Sequence, residues 1–221
     1  MKLTVSDRSL EIGPRTVDGW ILGLLFIPSF LFIGYLLATG DWNQGEGFQE
    51  NDPGELMQSV YIFLAAMLFL AAAWQAARPD RYVFCGGALV LLLMFERETE
   101  AENTWAEPYF GPVIESDLHY AALGVLLLVL LARAWPIFDQ SVRQFLLWAR
   151  SPAAWMTFLA IALYIFSDST EKQVLIDGIG PAKMIEEAIE SVAGCFFLAS
   201  AYLTWAAFRL PAPQRRAVPA E

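Results

Sequence analysis

The sequence predicts an all-α polytopic membrane protein: a six-transmembrane-helix bundle with an amphipathic cytoplasmic interfacial helix. Three observations carry that expectation. The 221 residues are 57% hydrophobic and only 17% charged, with a mean hydropathy of +0.45, more apolar surface than a soluble domain could hide. The apolar residues gather into six stretches, and none of these alternates in polarity as a barrel strand would. The charges divide between the stretch ends. Eleven of the fourteen Lys and Arg fall at one set of ends, and eighteen of the twenty-four Asp and Glu fall at the other.

That division gives a topology. Lys2, Arg8, Arg15, Arg78, Arg81, Arg133, Arg143, Arg150, Arg209, Arg215 and Arg216 share one side, leaving Arg97, Lys172 and Lys183 on the other. Basic residues favour the cytoplasm, so six crossings with both termini cytoplasmic are expected. The bilayer is thus the one sure partner. A net charge of −10 argues against nucleic acid, which recruits basic surfaces.

The elements follow in order. Residues 1–18 form a cytoplasmic lead-in, with Gly13-Pro14 as a breaker. The transmembrane domain covers 19–209. Its first span, 20–38, is too long for a signal-peptide core and lacks an A-x-A site, so it reads as a retained helix bent at Pro28. The acidic outer loop 39–55 reads as a solvated connector. A second span, 56–77, meets a tight hairpin at Arg78-Pro79-Asp80-Arg81. Spans 82–95 and 153–166 hold fourteen residues each, short of the roughly 20 that a crossing takes. The fourth span is 120–135. From Pro136 to Arg150 the chain is too polar to cross, and Phe138, Val142, Phe145 and Leu146 fall on one helical face, as in a helix lying at the cytoplasmic interface. That helix is also a candidate docking surface for a protein partner. The sixth span, 188–208, leads to a Pro-rich basic tail, 210–221, expected to be disordered. Cys85 and Cys195 are expected at different depths and read as core residues, not a disulfide.

The short spans gather carboxylates at the outer face. Extended to about 20 residues, the third helix takes Glu96, Arg97, Glu98 and Glu100 to the bilayer boundary, and the fifth takes Asp168 and Glu171. In the sixth, Glu190 lies about 22 Å from Trp205 along the axis, at 1.5 Å per residue, still within a core of about 30 Å. The pairs Glu96/Glu100, Glu115/His119 and Glu186/Glu190 are each four residues apart and share a helical face. Like charges so placed need compensation by a divalent cation, by shared protons or by Arg97, Lys172 and Lys183. Nucleophile elbows, P-loops and Rossmann glycine patterns are absent.

The run Leu93-Met94-Phe95-Glu96-Arg97-Glu98-Thr99-Glu100 resembles a group of uncharacterised bacterial inner-membrane proteins with no known activity. In that group a transmembrane helix ends in Arg-Glu-x-Asp, often followed by His, and a later helix opens with Glu-Glu-x-x-Glu. Here Arg97-Glu98-x-Glu100 and Glu186-Glu187-x-x-Glu190 correspond, with Glu100 in place of the Asp and no His directly after it. The likeness runs from Tyr82 to the end and implies a bacterial inner (cytoplasmic) membrane location.

The resulting expectation is an outward-facing carboxylate/His site. One form is a metal-dependent hydrolase acting near lipid headgroups. Glu96, Glu100 and Glu190 would be catalytic, Arg97, Glu98 and Asp168 would bind substrate, and His119, Glu115, Glu186 and Glu190 would hold a divalent metal ion. The rival forms are a non-catalytic assembly or accessory subunit and a small cation- or proton-coupled transporter.

Overall fold

A computed structural model describes residues 16–39, 53–98, 118–171 and 179–209. The lead-in, the acidic outer loop, most of the segment joining the third and fourth spans, and the tail lie outside the described residues. Those described are almost wholly helical. They form α1 (Thr16–Thr39), α2 (Pro53–Gln75), α3 (Arg78–Glu98), α4 (Leu118–Ala134), α5 (Phe138–Ala149), α6 (Pro152–Glu171) and α7 (Ile179–Arg209). Three stretches are long and apolar enough to cross a membrane: Leu56–Gln75, Tyr120–Ala149 and Ile185–Phe208. Gly19–Tyr35 and Pro152–Ser167 are apolar but shorter. In α3 the apolar run from Tyr82 to Phe95 lies between charges, with Arg78, Asp80 and Arg81 before it and Glu96 after it.

The packing leaves many large apolar side chains on the outside of the bundle. On α2, Gln58, Tyr61, Ile62, Ala65, Ala66, Phe69, Ala72, Ala73 and Ala76 are buried, a stripe at three- and four-residue spacing. The opposite face presents Phe63, Leu64, Met67, Leu70 and Trp74 outward. Small and polar residues inside, with Leu, Phe and Trp outside, is the order a hydrocarbon solvent selects. It makes this a membrane protein.

α7 is the hub, packed chiefly on α6 and α2 and to a lesser extent on α1. Its contact with α2 is close because Gly194 has no side chain. A Cβ there would stand 3.2 Å from both Cβ and Cδ2 of Tyr61. α3 also packs along α2, and α4 packs on α3.

Turns explain the order of elements. Arg78-Pro79-Asp80-Arg81 is the first turn of α3 and not the hairpin loop itself, since Pro suits an early helical position. Arg81 turns back on α2, donating from Nε to Ala73 O (3.2 Å) and from Nη2 to Ala76 O (3.3 Å), carbonyls at the end of that helix. Between α4 and α5, Pro136 falls in a 3-10 turn, Trp135–Ile137. A continuous helix of the 30 residues Tyr120–Ala149 would run about 45 Å at 1.5 Å per residue, well beyond a core of about 30 Å. Instead α5 folds against α3 and α6. Its Trp148 is buried beside Phe69 and Phe158 and donates from Nε1 to Thr204 Oγ1 at 3.2 Å. Phe138, Val142, Phe145 and Leu146 remain exposed on α5, the face expected to meet the membrane interface.

Candidate functional site

The polar residues of the bundle converge on the first half of α7. α6 continues past its apolar run to Glu171 and α3 to Glu98, so both short apolar runs are followed by polar helical turns. α7 starts at Ile179, nine residues before its apolar stretch, because Gly180-Pro181 opens it and Glu186, Glu187 and Glu190 are good helix formers. Glu187 and Glu190, three residues apart, are 4% and 8% exposed, while Glu186 is half-buried. Ser167 of α6 meets this turn. Its hydroxyl donates to Glu190 Oε1 at 3.0 Å, with Glu186 O a longer alternative at 3.4 Å.

A second group ties α7 to α1. Ser191 Oγ donates to Ser29 Oγ at 2.8 Å, and Ser29 Oγ lies 3.0 Å from Cys195 Sγ and 3.3 Å from Ser191 O. Cys195 Sγ in turn donates to Leu25 O at 3.3 Å, beside the turn that Pro28 disturbs. Ser29 accepts from Ser191, and its own proton has two acceptors within reach, Cys195 Sγ and Ser191 O. On α2, Gln58 Nε2 donates to Tyr164 OH of α6 at 2.7 Å. Further along α7, Ser200 Oγ is 2.6 Å from Thr157 Oγ1. Between Glu190 and Ser200 the face toward α6 carries buried Ala193 and Phe197, so these bonds form separate clasps and not one polar path.

The sequence-predicted residues fare unequally. Glu186 and Glu190 come together on α7. Glu96 is half-buried near the end of α3, whose main packing is against α2. Arg97, Glu98, His119 and Asp168 lie on α3, α4 and α6, with side chains outside those described. Glu100 and Glu115 lie outside the described residues altogether. Among the described residues no three His, Cys, Asp or Glu side chains are placed to hold a metal ion, so the expected metal set of His119, Glu115, Glu186 and Glu190 gains no support. Of the four, only Glu186 and Glu190 have described side chains; His119 lies on α4, whose main packing is against α3. Cys85 and Cys195 are free thiols, as expected.

Ser29, Gln58, Tyr164, Ser167, Ser191 and Cys195 were not among the expected site residues. Each is a polar or thiol side chain in or at the edge of an apolar run, and that isolation is the signal that could have marked them. No family model, no curated protein and no solved structure matches the chain. The resemblance at Arg97-Glu98-x-Glu100 and Glu186-Glu187-x-x-Glu190 therefore rests on those two motifs alone.

Proposed function

We propose that this is a six-crossing bacterial inner-membrane protein, both termini cytoplasmic, with an outward-opening carboxylate site on α7 that takes up and releases a cation, the proton included. The supporting observation is the burial of Glu187 and Glu190 within one turn of a bundle helix. Two carboxylates spaced three apart share a face. In a low-dielectric setting both cannot stay ionised without positive charge beside them. That charge can be a basic side chain, a shared proton or a metal ion, and an exchangeable one makes the site a handle for transport or cation sensing. At its edge the Ser167 hydroxyl donates to Glu190 Oε1. A metal-dependent hydrolase at the lipid headgroup would need Glu100, Glu115 and His119 to join Glu190, and nothing among the described residues favours it.

The experiment compares wild type with Glu190→Gln. Purified protein is analysed for metal, then reconstituted in liposomes holding a pH-sensitive dye and given an outside acid pulse with and without added divalent cation. Wild type is expected to bind the cation or to pass protons, and Glu190→Gln to do neither. If wild type does neither, the site reading fails and a structural bundle remains.

A further inference from the structure

Only two of the described side chains of α1 are buried, Ser29 and Phe32, and both come just after Pro28. Proline has no N–H for the carbonyl four residues back and crowds it, so a helix bends most easily there. The core divides at the same place. Before Pro28, Leu25 and Phe26 pack against the main core, and the Phe26 ring meets Phe196 of α7 edge-on at 5.0 Å. After it, Phe32 is buried in a separate small cluster with Met57 of α2 and Ala188 of α7. Nearer the end of the helix, Tyr35, Leu37 and Ala38 are exposed.

What this second half touches on α7 is the carboxylate turn. Ser29 Oγ accepts from Ser191 Oγ at 2.8 Å, and Phe32 packs on Ala188, so α1 runs antiparallel to α7 there. Glu187 directly precedes Ala188, shares a helical face with Ser191 four residues on, and is buried. Glu190 directly precedes Ser191 and is held by Ser167 of α6. α2 and α6 pack extensively on α7, and α1 much less. Of the three helices packed on α7, α1 is therefore the one free to give. A hydroxyl pair between helices is a weak hold in a membrane.

We infer that residues 29–39 of α1 form a gate over the carboxylate turn, hinged at Pro28 and latched by Ser29 on Ser191 and by Phe32 on Ala188. The structure shows it closed, with Glu187 out of contact with water. Opening lets water and a cation reach the turn. What enters rests on the carboxylate reading above, whereas the movement rests on α1 alone.

The test uses full-length protein carrying Cys85→Ala and Cys195→Ser, the latter keeping a donor for Leu25 O. Spin labels are placed in nanodisc samples at Leu37 and Val60, on the outer halves of α1 and α2, or at Leu24 and Leu70 on their inner halves, all four exposed. A swing of about 20° over the roughly 16 Å from Ser29 to Thr39 moves the tip by about 5 Å. The outer pair is expected to show a second distance longer by that amount, and the inner pair a single distance. Ser29→Ala should raise the long population roughly three- to fifteenfold, the range set by the strength of such bonds. Phe32→Ala should act in the same direction and covers a Ser29→Ala protein that misfolds. In intact cells, a Glu187→Cys thiol should react faster with an impermeant methanethiosulfonate when either latch residue is changed, whether or not any cation is taken up. A single outer distance in wild type and both latch variants overturns the gate, and so does a Glu187→Cys rate that neither variant alters. Both changes present in a protein that neither binds a cation nor passes protons would keep the gate and remove the cation reading alone.

Discussion

At Glu190 a single hydroxyl bond can be separated from the charge it serves. Ser167→Ala removes the 3.0 Å donor to Oε1, and interhelical bonds of this kind average about 0.6 and reach about 1.7 kcal/mol in membranes. A loss of that order in detergent stability is expected, with cation dependence retained. Glu190→Gln keeps an acceptor for Ser167 and changes the charge, so it should alter how stability responds to added cation and move the unliganded stability less. Thermal melts of both variants, with and without divalent cation, check this. A Ser167→Ala protein that loses its cation response would make the serine part of the site. Glu190 was legible in the sequence because its helix has to continue past it to Trp205. The Ser29–Ser191 pair was not, since its partners are 162 positions apart and only the packed α1–α7 contact joins them. No periodicity encodes which buried hydroxyl will meet which.

The helices divide by how they are held. α2 and α7 interlock through small residues, and Gly194 is the tightest point, with Tyr61 at 3.2 Å from where a Cβ would stand. Gly194→Leu should overpack that contact and destabilise by about 1–3 kcal/mol. Gly34→Leu on α1 and Gly124→Leu on α4 meet nothing within 4 Å and should melt as wild type does. Urea or thermal unfolding in a fixed detergent ranks them. Equal effects at all three positions would remove the close α2–α7 approach. The extents of α6 and α3 beyond their apolar runs were foreseeable from crossing length, and so was the interfacial composition of α5. The inward role of Trp148 was not, because its burial follows from α5 folding back over the ends of α2, α6 and α7. Sequence periodicity separated the lipid face of α5 from its polar face but could not show which residue would anchor it.

For the molecule as a whole, charge distribution and packing polarity point the same way. Cysteines introduced at Gln44, Thr104 and Gln173 are expected to react with an impermeant maleimide in intact cells, and one at Asp139 is not. Labelling at Asp139 with protection at Thr104 would overturn the six-crossing arrangement. The membrane class was readable from composition alone, whereas the burial of Glu187 and Glu190 depends on the helices that pack around α7. The position of α4 has a further consequence. Its residues from Tyr120 to Leu131 are mostly exposed, and its main neighbour is α3. Such a helix is specified by length and oiliness, with little demand on shape. Along its outward face each position carries close to one yes-or-no decision, apolar or not, so exchanges among Leu, Ile, Val and Phe should be nearly silent there. The Ala- and Ser-lined faces of α2 and α7 spell out nearly every letter. A saturation scan should read the two as different alphabets within one chain, a permissive one against the lipid and a strict one at the hub.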